Sequence, residues 1–160
     1  PHDKYDCGIC GDQMIRMLNP ETDDSRLFKM FEQESKFVKV DPDYVAKRYQ
    51  ELIRSGIAAV FMLVGEDGEI QGGLGAIKYL DLHCGEWRAT ESFWYVLPAF
   101  RGGFGAMDLL LAYEKWARDQ SCGMMSIIHL SDSFPEKLER LYRNRGYELV
   151  EKTYMKETGK

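Results

Sequence analysis

Between Ser92 and Asp119 the chain changes character twice, and no other stretch limits the possible folds as tightly. Phe93 to Leu97 is a β-rich run, Pro98 marks a turn, Gly102, Gly103 and Gly105 follow, and a helix begins. From Ala106 the apolar residues Leu109, Leu110, Tyr113, Trp116 and Ala117 repeat at helical spacing along one face. Asp108, Glu114, Lys115, Arg118 and Asp119 take the other side. A strand that passes through glycines into a helix start gathers unpaired backbone N–H groups around one point. The positive end of the helix dipole, about half a charge, adds to them. That outline is a phosphate cradle; the plainer alternative is a tight turn with close helix–strand packing. A dinucleotide fingerprint fails, because Asp108 stands where a third small residue is required. A nucleoside-triphosphate loop fails too, because no Gly-Lys-Ser/Thr follows.

The rest of the chain falls into alternating elements. Residues 1–12 read as an irregular arm, and Gln13 to Leu18 as a first strand that stops at Asn19-Pro20. Thr22, Asp23 and Asp24 offer caps for a helix carrying Leu27, Phe28 and Phe31. A second helix opens at Asp41-Pro42, with Val45, Tyr49, Leu52 and Ile53 inward, and ends at Gly56. Phe31, Phe37 and Tyr44 are either core or an aromatic lid on the substrate side. Ile57 to Val64 is a strand buried on both faces, and Asp67-Gly68 is a hairpin turn. Glu69 to Leu82 returns through Gly72, Gly73 and Gly75, which predict a bulge or a close backbone approach. Glu86 to Leu97 follows as a third antiparallel strand, and Cys122 to Leu130 as a buried one after the long helix. Ser133-x-x-Glu136 forms a capping box for a helix with Phe134, Leu138, Leu141 and Tyr142 on one side. Tyr147 to Met155 alternates as a last strand.

One hundred and sixty residues predict a single domain, 1–160, of α+β class. No apolar run approaches the roughly 18 residues of a membrane helix, and no signal peptide opens the chain; the expectation is a cytoplasmic protein. A net charge of −5 argues against general nucleic-acid binding and is compatible with a cationic substrate. Acidic residues at Glu21–Asp24, Glu32–Glu34 and Asp41–Asp43 lean the same way; their plainer role is to cap helices. Cys7-x-x-Cys10 with His2 nearby is half of a zinc site, but no second close pair exists among the four cysteines, so free thiols are the simpler expectation.

Val96-x-Pro98-x-Phe100-Arg101-Gly102-Gly103-Phe104-Gly105 resembles the pyrophosphate loop of the GNAT superfamily of acyl-CoA N-acetyltransferases. The family usually shows Val-x-Pro-x-Tyr-Arg-Gly-x-Gly-x-Gly/Ala; the loop here is one residue shorter. Leu141-Tyr142-Arg143-Asn144-Arg145-Gly146-Tyr147 is similar to the family's Leu-Tyr-x-x-x-Gly-Phe/Tyr ending. The element order matches as well, so the resemblance spans residues 13–156. It implies a mixed, mostly antiparallel sheet of about six to seven strands with about four helices, splayed between the fourth and fifth strands. It also implies acetyl-CoA as co-substrate, with no metal. The pantetheine arm would take backbone contacts from Tyr95, Val96 and Leu97. The diphosphate would lie against Arg101, Gly102, Gly103, Phe104, Gly105 and Ala106.

The implied reaction is direct attack of a primary amine on the thioester. Tyr142 matches the family tyrosine directed at the CoA sulfur, which makes it the candidate general acid. The base is open. Glu91 lies on the strand before Val96, yet strict alternation puts it on the opposite face unless a bulge intervenes. His129 has a pKa suited to the work, and His83 with Asp81 could border the amine pocket. Pro135 stands where many members have Asn, so Ser131 or Ser133 is the alternative CoA contact. Expected partners are a small-molecule or peptide amine and a second copy in a homodimer. A CoA-binding or protein-interaction module with little turnover is the competing reading.

Overall fold

A computed structural model describes residues 13–30, 32, 39–128 and 134–159. The residues fall into two compact units, Pro1–Ile127 and Ile128–Lys160. The first holds one sheet of five strands, in spatial order β1 to β5: Gln13–Met17, Ala58–Gly65, Ile70–Leu80, Trp87–Val96 and Met124–Ser126. The first four are antiparallel neighbours, and β5 pairs parallel to β4. Helices α1 (Arg26–Lys29), α2 (Pro42–Arg54) and α3 (Phe104–Asp119) complete it, and a single 3-10 turn, Pro98–Phe100, links β4 to α3.

Burial on both faces explains the unbroken apolar run of β2. Ala58, Val60, Met62 and Val64 join Leu27, Phe28, Ala46 and Tyr49 of α1 and α2 in one core layer. Alternation sends Ala59, Phe61 and Leu63, with Leu74 and Ala76 beside them on β3, to the other face, which α3 covers. Leu109, Leu110, Tyr113, Trp116 and Ala117 of α3 are buried as their spacing predicts. Glu114, expected on the solvent side, is buried too; its one-turn neighbour Arg118 approaches it at 3.9 Å. Helix α2 is capped as its sequence indicates: the Asp41 side chain accepts from the Tyr44 N–H at 3.1 Å.

Three expectations fail locally. Helix α1 is a single turn whose N-cap, Ser25, makes no side-chain cap, its hydroxyl being bonded to Asp43 instead. Asp23 is taken by Arg16 and the Asn19 N–H, while Asp24 does accept from the Arg26 N–H at the helix start. Strand β5 is short and half-exposed rather than buried, because it is the edge of the sheet. Tyr147 to Met155 forms no strand; Leu149, Val150, Tyr154 and Met155 are all exposed. Alternation specifies which side chains share a face, but a strand also needs a hydrogen-bonding neighbour. The sheet therefore has five strands among the described residues, against the six to seven expected.

The second unit holds α4, Pro135–Asn144. It opens at Pro135 after Phe134, whose φ of 49° is left-handed, and Ser133 of the expected capping box lies outside the described residues. Gly146, at φ 88°, ends it; its N–H donates to the Arg143 carbonyl and the Tyr147 N–H to that of Tyr142. Among the described residues, no helix is long and apolar enough to cross a membrane.

Candidate active site

The site is built on β4, and β4 is not a regular strand. Gly75 lies opposite Phe93 and Ala76 opposite Glu91, so Ser92 is an extra residue with no place in the ladder. Residues directly opposed in a ladder share a face. Val96 opposes Gly72, Trp94 opposes Leu74 and Glu91 opposes Ala76; the bulge at Ser92 has therefore carried Glu91 to the Val96 face. That is the condition on which Glu91 depended as a candidate base. Its carboxylate is buried, at 5% exposure.

The extra residue is held from the α2 side. Ser92 Oγ and the Tyr49 hydroxyl are hydrogen-bonded. Burial first, and the Glu91 charge in addition, push the Tyr49 phenol up to about 12 against the pull of that bond. Tyr49 stacks on Phe28 and meets Phe93 edge-on, with centroids 5.7 Å apart in both pairs. Gly75 makes room for this: a Cβ there would stand 2.5 Å from the Tyr49 hydroxyl. Neither Tyr49 nor Ser92 was legible as part of the site. The only signal was Gly75 itself, on the neighbouring strand.

Strand β5 leaves β4 early. Their pairing covers Arg88–Thr90, while β4 runs on to Val96. At its end the Leu97 N–H donates to the Gln71 carbonyl at 2.9 Å, towards β3. Alternate residues of an antiparallel strand address the same neighbour, so Tyr95 also turns its backbone to β3. Of the trio expected to meet pantetheine, Val96 alone turns its N–H and C=O to the opening. The Arg101 guanidinium caps that carbonyl, Nε to O at 2.7 Å, and lies 5.4 Å from the Tyr95 ring centre.

Beyond the 3-10 turn, Gly102 takes φ 88°, a left-handed conformation that glycine adopts without strain. Gly103 is the N-cap of α3 and brings no side-chain cap. As a result the backbone N–H groups of Gly102, Gly103, Phe104, Gly105 and Ala106 donate to nothing among the described residues. Five donors at the positive end of a sixteen-residue helix, beside an arginine, suit a diphosphate. Burial pushes the Asp108 carboxyl, one turn further on, up from its usual range, so this acid gives up its negative charge more readily than an exposed one.

The remaining candidates separate. Tyr142 belongs to the second unit, where it is buried, its hydroxyl donating to the Ile128 carbonyl at 3.4 Å and its ring 6.0 Å from that of Tyr147. His129, Ser131, Phe31, Phe37, Cys7, Cys10 and His2 lie outside the described residues. Tyr44 is exposed rather than part of a core. His83 and Asp81 sit at the far end of β4 from the glycine loop, about 30 Å along the strand at ~3.3 Å per residue. The acidic residues Glu21, Asp23 and Asp24 each face an arginine, namely Arg54, Arg16 and Arg26. Asp43 accepts from the Ser25 hydroxyl. Each of these carboxylates is engaged by a partner within the protein. Among the described residues, no group of three His, Cys, Asp or Glu side chains is placed to hold a metal.

The family model of the acetyltransferase (GNAT) family matches residues 24–147. No curated protein matches the chain. Among solved structures, glucosamine-6-phosphate N-acetyltransferase from Arabidopsis thaliana superposes with a TM-score of 0.73 at 14% identity, over 92% of this chain and 99% of that one. AAC(6')-Iy, solved with the bisubstrate analog CoA-S-monomethyl-acetylneamine, gives 0.71 at 18% identity over 92% and 99%. An aminoglycoside acetyltransferase from an uncultured soil metagenomic sample, in complex with sisomicin, gives 0.69 at 17% over 91% and 97%. At these identities the likeness is one of fold, and it agrees with the family match. The chain belongs to the acetyltransferase (GNAT) family, and its chemistry is acyl transfer.

Proposed function

We propose that this is an acetyl-CoA-dependent N-acetyltransferase that acylates the primary amine of a small molecule by direct attack. The observation that carries the reading is the run of five amide N–H groups, Gly102 to Ala106, left open where β4 has already parted from β5. Acetyl-CoA supplies an activated acyl thioester. Gly102–Ala106 and Arg101 hold its diphosphate, and the Val96 N–H lies where a thioester or pantetheine carbonyl would accept.

The acceptor amine, with a pKa of about 10.4, is mostly protonated at pH 7, a handicap of roughly 4 kcal/mol. Glu91 takes that proton, directly or through one water. The amine nitrogen then bonds to the acyl carbon, the C–S bond breaks, and the thiolate leaves with a proton from Tyr142. The products are an amide, free CoA thiol and one proton passed to solvent. The proposed acceptor class follows the amino sugars named with structures of this fold, among them sisomicin and glucosamine 6-phosphate.

Release of CoA thiol across a panel of amines tests the reading. Turnover should appear with a small polar amine, fall about a hundredfold in Glu91→Gln and about tenfold in Tyr142→Phe, with acetyl-CoA binding retained in both. Calorimetry that shows no heat with acetyl-CoA overturns it. Binding without turnover on any amine favours a CoA-binding module on the same fold.

A further inference from the structure

The most consequential irregularity in the molecule is the one extra residue of β4, since without Ser92 the Glu91 side chain would point through the other face of the sheet. A bulge leaves its extra residue unpaired and disrupts the ladder locally, so a contact from outside the ladder adds to what holds it in place. Here that support comes from α2. Tyr49 is buried, at 7% exposure, yet carries a hydroxyl that must find a partner, and its partner is Ser92. Ser92 itself is exposed. Gly75, the residue opposite the bulge, lacks the Cβ that would displace the Tyr49 hydroxyl.

We infer that Tyr49 is a positioning residue, pegging the β4 bulge through Ser92 and so holding Glu91 on the Val96 face. The inference rests on the proposed role of Glu91. Tyr49 does not touch the thioester; it acts through the strand. A regular β4 would move every residue before the bulge to the opposite face, so a loosened peg withdraws Glu91 while leaving the glycine loop as it was. The phenol stays protonated throughout any practical assay range, because burial and the Glu91 charge keep its proton on. Either hydroxyl can donate in the bond, so the peg survives at any pH where both keep their protons.

Four variants test this: Tyr49→Phe, Ser92→Ala, the pair combined, and Ser92→Thr. Each single removal should lower kcat about tenfold while KM for acetyl-CoA stays within about twofold, the fold-change expected when one buried hydrogen bond is lost. The combined variant should be no worse than either single one, because both break the same bond. Ser92→Thr keeps the hydroxyl and should keep the rate. Ser92 is exposed, so its variants remain informative even if Tyr49→Phe fails to fold. Losses that multiply, an unchanged kcat in Ser92→Ala, or a loss confined to KM would overturn the inference. A wild-type protein that does not bind acetyl-CoA would instead overturn the proposed function.

Discussion

The two ends of β4 solve opposite problems with the same kinds of group. At the end near Trp87, the turn back from β3 is closed on itself. Asp81 accepts from the His83 N–H at 2.8 Å, the Cys84 N–H at 3.1 Å and the Cys84 thiol at 3.4 Å, and Arg88 Nε lies 3.0 Å away. At the Val96 end, the amides of Gly102 to Ala106 have no such acceptor among the described residues. A side-chain carboxylate is what the first turn has and the second lacks. Where a fold supplies its own anion the backbone is finished; where glycines replace it, the anion has to come from outside.

Substitutions at the two ends should therefore fail in different assays. The largest effect is expected from Gly102→Val. A β-branched residue relaxes out of the left-handed region in the free protein, and binding has to reverse that at about 2 kcal/mol, or roughly thirtyfold in the Kd for acetyl-CoA by calorimetry. An unchanged Kd would show that the loop does not hold the diphosphate. Arg101→Ala comes next, with acetyl-CoA weakened about fivefold at low salt and less at high salt, since an exposed cation is screened. A loss independent of salt would assign Arg101 to the Val96 carbonyl rather than to phosphate. Asp81→Asn should leave the Kd within about twofold and lower the thermal midpoint instead.

The Asp81 end also carries a pH signature. The His83 N–H foremost, with the Cys84 thiol, the Cys84 N–H and the Arg88 charge, holds the Asp81 carboxyl below its usual range despite burial. A depressed folded-state value stabilises the fold above the unfolded carboxylate pKa of about 4, and that contribution is lost as pH falls through the lowered value. Thermal midpoints measured across acid pH should converge for wild type and Asp81→Asn at the acid end. A constant gap between the two would remove the carboxylate from the account.

Much of this was legible in residue order. Leu109, Leu110, Tyr113 and Trp116 announced α3, Asp41-Pro42 the start of α2, and Ile57 to Val64 a strand covered on both sides, because each pattern is local and periodic. The loop motif and the Leu-Tyr ending carried the family. Glu114 was misplaced because a helical wheel cannot say how wide the buried stripe is once a sheet covers it. Tyr147 to Met155 was misread as a strand, because alternation was present without a neighbour to pair with.

The chain by itself determined where backbone could be left bare: glycines at 102, 103 and 105, around the start of a helix, bring no side chain that could cap it. It also specified an acyl-transfer family through two short motifs. Tertiary structure alone decided which way Glu91 faces and which of Tyr95, Val96 and Leu97 addresses the opening. Both depend on register between β3 and β4, and register is a relation between strands that are distant in sequence. A single added residue, stabilised from a third element, reverses it.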